Sequence, residues 1–512
     1  KVNRFYKSLA LGFESQSNGL DGNINLYIPF YSNQINLLVN KRITNNQTSA
    51  DEELGSIEID NTASNTSSYA LTFTRYNNDN YINFKIENYN MDYGIPPSEE
   101  GHIDGVDIEL LKNSMQINYH QDISLFNLSQ LDIRYSLVDY RHKEYENNKS
   151  YYDVELNKIT NSIKLDLMSP DIVIGTEFNF KRLIPREMVW TPITNLLKFS
   201  FYSFYERKIN SFELLGSIRA EQQSILPNKN GLSLSNLEEV DIINKKFQTI
   251  SSSIGIRREF GKFEVNSWLM GTMQAPSIEE LYSDGPHLGS YSYEIGNPDL
   301  EPEKTLGIET SIRYNDDNID LSLIGFYNYS PYYYQYIKMG ECNADYVGDS
   351  HPCAGADYIE WGSGPGWLYK YQINGIESLI KGIEFNFSYR YKKVSLSYDL
   401  SYLNGENLTS DSPLSYMNPN KQIINLRYEN KQMNANARFT WVHSQNRIGE
   451  FETSTPSAFL TDLVVGYRIG EHKLIIQLNN IFNQEYYNHL SKIKSVFPEP
   501  GRNIAINYRI AL

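Results

Sequence analysis

The fold is decided by Ile383-Glu-Phe-Asn-Phe-Ser-Tyr-Arg-Tyr391, then Lys392-Lys393, then Val394-Ser-Leu-Ser-Tyr-Asp-Leu-Ser-Tyr402. In both outer segments apolar or aromatic residues alternate with polar ones, which is the period of a β-strand with two different faces. The two residues between them predict a tight hairpin turn. Each segment also has roughly the nine to eleven residues that a tilted strand needs to cross the hydrocarbon layer of a membrane.

The same alternation recurs along the whole chain, and the connections between the alternating segments differ in length. Some connections are tight, whereas others are long and rich in Gly, Pro, Asp and Ser. We therefore predict that residues 1–512 form one domain, an all-β, antiparallel transmembrane β-barrel. A soluble β-sandwich or propeller is the alternative. Further alternating sets are Ile82/Phe84/Ile86, Leu197/Phe199/Phe201, Ile319/Leu321/Leu323 and Ile504/Ile506/Tyr508/Ile510/Leu512, and the long connections are 90–110, 338–370 and 404–420.

Composition excludes several classes of protein. The 512 residues carry a formal net charge of −16, which argues against broad nucleic-acid binding because that needs a basic surface. No apolar run approaches the roughly 18 residues that a membrane helix needs, and 13% aromatic residues are too many for a disordered chain. The 40 tyrosines suit the aromatic girdles of a membrane barrel.

Motifs for catalysis are missing from the sequence. It contains no Gly-x-Ser-x-Gly, no His-Glu-x-x-His and no glycine-rich phosphate loop. We therefore predict that the protein is not an enzyme and uses no catalytic cofactor.

The second half of the chain resembles the barrel of TonB-dependent outer-membrane receptors. The resemblance depends on the order and spacing of four segments, which together span roughly residues 265–512. They are Gln274-Ala-Pro-Ser-Ile-Glu-Glu-Leu-Tyr282 with Gly285-Pro-His287, then Gly296-Asn-Pro-Asp-Leu-Glu-Pro-Glu303, then Gly375 with Gly382-Ile-Glu384, and last Asn479-Asn-Ile-Phe-Asn-Gln-Glu-Tyr-Tyr487 with Pro500-Gly-Arg-Asn503.

The first half is most similar to the zinc-uptake branch of these receptors. The segments that carry this likeness are Tyr93-Gly-Ile-Pro96, His102, Val106-Asp-Ile-Glu-Leu110 and Val138-Asp-Tyr-Arg-His-Lys-Glu144. The resemblance implies that Glu144 and His287 are metal ligands, with His102 near the same region. His142 is a further candidate, because residues two apart in a strand point to the same face.

The resemblance also implies a barrel of about 22 strands, the number found in plugged outer-membrane transporters, and it implies partners and a location. The expected place is the outer membrane of a Gram-negative bacterium, with membrane lipid around a monomeric barrel. The expected ligand is a small molecule, zinc first, with haem, a siderophore or another metal chelate as alternatives because the segment 97–107 has a single His. Energy would come from the TonB–ExbB–ExbD system through a plug domain, and we expect neither the plug nor the TonB-contact segment within residues 1–512. A passive porin-like channel and a surface adhesin or soluble binding protein are the alternatives from other classes.

The longest connection contains both cysteines of the chain, Cys342 and Cys353. Export through an oxidising compartment predicts a disulfide between them. The disulfide either stiffens an exposed loop or supports a metal-collecting lip formed by four side chains around the cysteines. These are Glu341, Asp345, Asp349 and His351.

Overall fold

A computed structural model describes residues 4–51, 53–98, 104–146, 150–187, 189–232, 234, 236–287, 292–339, 358–360, 367–450 and 452–511. Among these residues no helix is long and apolar enough to cross a membrane. The elements are β1 (Tyr6–Glu14), β2 (Gly19–Phe30), β3 (Asn33–Thr44), β4 (Gln47–Asp51), β5 (Gly55–Ile59), β6 (Ser64–Asn77), β7 (Asn80–Ile95), β8 (Val106–Leu125), β9 (Leu128–Tyr145), β10 (Val154–Met168), β11 (Ile172–Glu187), β12 (Ile193–Ile209), β13 (Phe212–Asn228), β14 (Lys245–Phe260), β15 (Phe263–Gln274), α1 (Ile278–Tyr282), β16 (Asp284–His287), β17 (Ser292–Ile295), β18 (Glu303–Asn315), β19 (Ile319–Lys338), β20 (Tyr358–Glu360), β21 (Trp367–Tyr391), β22 (Val394–Asn407), β23 (Ser412–Pro413), β24 (Lys421–Glu429), β25 (Met433–Val442), β26 (Ala458–Ile469), β27 (His472–Asn479) and β28 (Asn503–Ala511).

In the described part of the chain, 22 strands form one closed antiparallel wall. Each wall strand pairs with the next one along the chain, and β1 closes the barrel against β28 in a register that runs from Ser8 opposite Ala511 to Glu14 opposite Ala505. The six other strands, β4, β5, β16, β17, β20 and β23, lie in the connections. The predicted all-β barrel of about 22 strands is confirmed.

The two ends of the barrel differ sharply. Connections of two or three residues between wall strands all lie at the end where β1 begins and β28 ends, which we call the short-turn end. Every longer connection between wall strands lies at the opposite, long-loop end. Asn78 and Asn210 begin two of these turns with φ of 56° in each case, a conformation that Asn tolerates better than most residues. The short connections are 31–32, 78–79, 126–127, 169–171, 210–211, 261–262, 316–318, 392–393, 430–432 and 470–471.

The alternation in sequence becomes an apolar outside and a polar inside. Ile163, Phe178 and Phe199 lie in one cross-strand row on the outside and are 47%, 42% and 54% exposed. On the inside, polar side chains bind one another across strands, as where Asn40 Nδ2 donates to Ser68 Oγ at 2.9 Å. The inner wall therefore suits water, and the outer wall suits lipid.

A packed hydrophobic cluster fills part of the interior near the long-loop end. Its buried members come from α1, from the inner faces of the wall and from the connections. They are Leu183, Leu196, Ile225, Ile242, Ile278, Leu281, Tyr282, Leu300 and Ile373. Because this cluster joins residues far apart in sequence, it fixes the long connections against the wall.

Candidate metal-binding site

His142 and Glu144 form a pair on the inner wall near the long-loop end of β9. His142 Nε2 lies 2.8 Å from Glu144 Oε1, and the two side chains are only 14% and 16% exposed. The other ring nitrogen, Nδ1, lies 3.3 Å from Tyr140 Oη. The prediction that residues two apart in a strand share a face is therefore correct for this pair. Their imidazole and carboxylate are both directed into the lumen.

Apolar residues surround Glu144 on both sides. Ile108 lies opposite Glu144 on β8, and Val154 lies opposite it on β10. Both are buried and pack with Trp190 in one cluster. Burial of this kind strengthens electrostatic attraction, so a cation that reaches Glu144 interacts more strongly than it would in water.

The segment that carries His287 lies against the same cluster. The backbone N–H of Asp284 donates to the carbonyl of Trp190 at 2.8 Å. A Cβ on Gly285 would lie 2.2 Å from Trp190 Cβ, so only glycine permits this approach. The structure thus brings β16 and the cross-strand neighbours of Glu144 to the same tryptophan, although 143 positions separate Glu144 from His287. The side chain of His287 lies outside what the structure describes.

Helix α1 explains why β16 begins where it does. Ser277 caps the helix: its hydroxyl accepts from the backbone N–H of Glu280 at 3.1 Å, and the Glu280 carboxylate accepts from the N–H of Ser277 at 2.7 Å. Leu281 and Tyr282 are fully buried, and burial raises the pKa of Tyr282. The helix therefore packs its apolar side into the interior cluster and directs the chain into β16.

Asp284, the first residue of β16, is anchored through its buried carboxylate. It accepts from the backbone N–H groups of Asn236 and Leu237 at 2.8 and 2.9 Å and from Tyr293 Oη at 3.1 Å. A buried carboxylate is costly unless such donors surround it. Asp284 was missed by sequence reasoning, because its donors come from distant parts of the chain.

The structure does not describe the remaining predicted ligands. His102 and the predicted lip residues Glu341, Asp345, Asp349 and His351 lie outside the described residues, as do Cys342 and Cys353. Within the described ranges, no group of three or more His, Cys, Asp or Glu side chains is placed to hold a metal ion. The candidate site therefore consists of His142 and Glu144, with β16 beside them.

Comparison with known proteins gives the family. Residues 6–483 match the model described as "TonB dependent receptor-like, beta-barrel". The chain belongs to this family. The resemblance seen in the sequence is confirmed at this level, and its zinc-uptake branch stays a prediction.

Solved structures of similar fold include three transporters and receptors. The copper transporter OprC has 14% identity and a TM-score of 0.80, over 99% of this chain and 80% of OprC. The FrpB iron transporter from Neisseria meningitidis (F3-3 variant) has 12% identity and a TM-score of 0.77, over 100% and 82%. The siderophore receptor PirA from Pseudomonas aeruginosa has 13% identity and a TM-score of 0.67, over 100% and 81%. At these identities the likeness shows the fold.

The lumen of this receptor barrel also contains a charged cavity of about 630 Å³, lined by β10–β15 and by the residues before and within α1. Arg219 is paired there with two carboxylates, at 3.2 Å from Glu177 and 2.7 Å from Glu221. Lys198 lies 3.5 Å from Glu221, whereas Lys181 has no hydrogen-bond or ion-pair partner among the described residues. The three cations and three carboxylates of the lining balance, and Lys181 is the cation among them that forms no direct ion pair.

At the rim of the receptor, a buried ionic cluster joins the β25–β26 and β27–β28 connections. His489 Nε2 lies 3.1 Å from Glu452 Oε1, with the two side chains 1% and 0% exposed. Lys494 Nζ donates to the carbonyl of Thr453 at 2.8 Å, and burial lowers the pKa of Lys494. Breaking such a buried network costs more than breaking an exposed ion pair, so these connections hold a fixed conformation.

Proposed function

We propose that this chain is an outer-membrane receptor for TonB-coupled uptake of a scarce metal ion or metal chelate, with zinc as the first candidate. The observation that carries the proposal is the 2.8 Å contact between His142 and Glu144 on the lumen wall, beside the segment that ends at His287. The proposal includes a small ligand as cargo and no catalytic cofactor.

The donor set supports zinc for a chemical reason. Zn²⁺ binds imidazole nitrogen and carboxylate oxygen at about 2.0–2.2 Å and usually takes four ligands. Two or three protein ligands leave part of the zinc coordination shell to water. Such an incomplete shell suits capture and release better than permanent binding. The related structures carry the names of copper and iron transporters and of siderophore receptors, which supports a metal or a metal chelate in general.

A metal chelate is the second candidate, and two lumen cations favour it. Lys158 Nζ lies 5.3 Å from the ring centroid of Tyr140, next to His142, and it forms no direct ion pair among the described residues, although the Glu279 carboxylate interacts with it electrostatically. Lys181 lines the charged cavity nearby and is likewise unpaired there. Two ammonium groups without a direct ion pair favour an anionic chelate over a bare metal ion.

The proposal also covers how uptake is coupled to an energy source. We place the receptor as a monomer in the outer membrane of a Gram-negative bacterium, with the TonB–ExbB–ExbD system acting through a plug domain. A passive porin-like channel is the competing function. It would show no specific affinity and a high, unregulated conductance in planar bilayers.

Isothermal titration with Zn²⁺ tests the zinc proposal on the purified protein. We expect zinc binding to weaken by about tenfold or more in each of Glu144→Gln, His142→Gln and His287→Gln. Even mutation of residues that only hydrogen-bond to a metal ligand lowers metal affinity by that factor. His472→Gln is the matched control, since His472 binds Tyr508 Oη at the short-turn end, far from the site. Unchanged affinity in the Glu144 and His287 variants would remove these residues from the site.

Titration with ferric tris-catecholate, a trianionic complex, separates the second candidate from the first. If the cargo is a chelate, Lys158→Met and Lys181→Met should weaken binding of this complex while leaving zinc affinity unchanged. Absence of binding to both probes, together with high conductance, would favour the porin-like channel.

A further inference from the structure

A histidine and two aspartates meet on the inner wall near the short-turn end of the barrel. His120 lies on β8, directly opposite Asp132 on β9. Its neighbour Tyr119 pairs with Ile82, which is 44% exposed on the outer face, so His120 points into the lumen. Asp122 follows two residues later on β8 and therefore lies on the same face.

Two contacts fix the imidazole ring of His120. Its Nδ1 lies 2.5 Å from Asp132 Oδ1. Because an ionised carboxylate only accepts hydrogen bonds, Nδ1 carries the ring proton and Nε2 keeps its lone pair. The ring also stacks on Tyr81, with centroids 5.1 Å apart and planes inclined by 18°. The direction of the Nε2 lone pair is therefore set by the wall.

That lone pair faces the carboxylate of Asp122. His120 Nε2 lies 3.8 Å from Asp122 Oδ1, which is too long for a hydrogen bond. Neither group has a hydrogen-bond partner in the part of the chain that the structure describes. The backbone N–H of Asp122 donates to Asn80 Oδ1 at 2.6 Å, which anchors this residue beside the turn. Two acceptors thus face each other across a gap.

The gap has the size of a bridging metal ion. Zinc binds imidazole nitrogen and carboxylate oxygen at about 2.0–2.2 Å, so two such donors at a tetrahedral angle lie roughly 3.4 Å apart. A shift of a few tenths of an ångström would let one ion bind both. The side chains of His120 and Asp122 are 17% and 53% exposed, so the pair is open to the lumen. The Asp132 carboxylate on the other ring nitrogen makes the imidazole a stronger metal ligand.

The charge around the pair is negative. Asp166 on β10 lies opposite Asp132, which with Asp122 makes three carboxylates. Two cations share this part of the inner wall: Lys164 lies 3.2 Å from Asp166, and Arg134 donates to an asparagine side chain of β8 at 3.1 Å. The three carboxylates outnumber the two cations, which favours the entry of a further cation.

We propose that His120 and Asp122 bind Zn²⁺, with water completing the coordination shell and Asp132 positioning the imidazole. An imidazole ligand favours transition metals over Mg²⁺ and Ca²⁺. Asp132 and His142 lie ten residues apart on one face of β9, so the two candidate sites are separated by roughly 34 Å along the strand.

Short turns mark the periplasmic end of such barrels, so this second site is where a metal ion would leave the lumen. That role as a last binding position rests on the proposed uptake function. The binding of zinc by His120 and Asp122 does not.

Isothermal titration with Zn²⁺ tests the proposal on the purified protein that carries His142→Gln and Glu144→Gln, so that the first candidate site does not contribute. Zinc should still bind, and adding His120→Gln or Asp122→Asn should weaken this binding by about tenfold or more. Asp132→Asn should weaken it by roughly tenfold, because the ring loses its orienting carboxylate. Mg²⁺ in about tenfold excess should not displace the zinc.

Two matched controls separate a site from general attraction. Asp166→Asn removes the neighbouring carboxylate, and His472→Gln removes a histidine at the same end that binds Tyr508 Oη. Each should leave zinc affinity within about threefold, because a single exposed charge contributes little in water. The folded barrel is checked by its shift in gel mobility on heating.

Three results would overturn the second site: unchanged affinity in His120→Gln, an equal loss in Asp166→Asn, or displacement of zinc by Mg²⁺. If His142→Gln with Glu144→Gln abolishes all zinc binding, the second site fails and the proposed cargo site stands. If zinc binding is lost only through His120 and Asp122, the second site stands and the proposed cargo site fails.

Discussion

Replacing Leu281 by alanine should loosen the segment that carries His287 without opening the barrel. Leu281 is fully buried in α1, within the interior cluster of Ile278, Tyr282 and their neighbours. The helix leads directly into β16, so the packing of this one side chain holds the end of the helix and the start of the strand in place.

The magnitude follows from the burial. Shortening leucine to alanine removes three carbons, worth about 2.4 kcal/mol at roughly 0.8 kcal/mol for each buried methylene. The cavity that remains adds to this, and fully buried Leu→Ala changes typically cost about 2–5 kcal/mol. A loss of about 3 kcal/mol in the local free energy of opening corresponds to roughly a 150-fold increase in the open population.

Hydrogen exchange read by mass spectrometry measures this opening directly. The reporting amides are those of Ser283, which donates to Glu279 at 3.0 Å, Asp284, which donates to Trp190 at 2.8 Å, and Gly296. Their exchange should accelerate by about 150-fold, while amides of the wall strands keep their rates.

Leu269→Ala is the matched control, because Leu269 is 57% exposed on the lipid face and the same carbons are removed. It should leave exchange at residues 283–296 unchanged. If Leu281→Ala accelerates exchange at these amides less than about threefold, the interior cluster does not hold β16 and α1 does not position His287.

Three further changes test separate contacts. Gly285→Ala should weaken zinc binding by about tenfold or more, measured by titration, because its Cβ would lie 2.2 Å from Trp190 Cβ and must displace β16 from the site. Tyr282→Phe should lower the free energy of local opening by about 0.5–1.5 kcal/mol, measured by hydrogen exchange, because the carbonyl of Ile243 loses its 2.6 Å donor, the hydroxyl of the buried tyrosine. Burial raises the pKa of Glu499 above its ordinary value of 4.5, so the folded state binds this proton more tightly than the unfolded chain and stability falls as pH rises through the raised pKa. Glu499→Gln should therefore raise the melting temperature at neutral pH and have little effect near pH 4; a lower melting temperature at pH 7 would contradict the sign.

The sequence by itself determined the strands and the two kinds of connection, and its resemblance to a family gave the number of strands. Alternation such as Ile383 to Tyr391 is a local property, because the side-chain direction in a strand reverses at every residue. The unequal connections likewise appear in the sequence as turn-forming residues between alternating runs. These features predicted the barrel, and the pair His142 and Glu144 on one face.

Only the tertiary structure decided which faces meet. Alternation divides a strand into two faces, but where both are polar, as around Arg141 and Asn157, only closure of the barrel assigns one to lipid. The approach of β16 to Glu144 through Trp190, and the anchoring of Asp284, depend on connections folding back across many strands. Such contacts depend on packing over long separations in sequence, which no local pattern encodes.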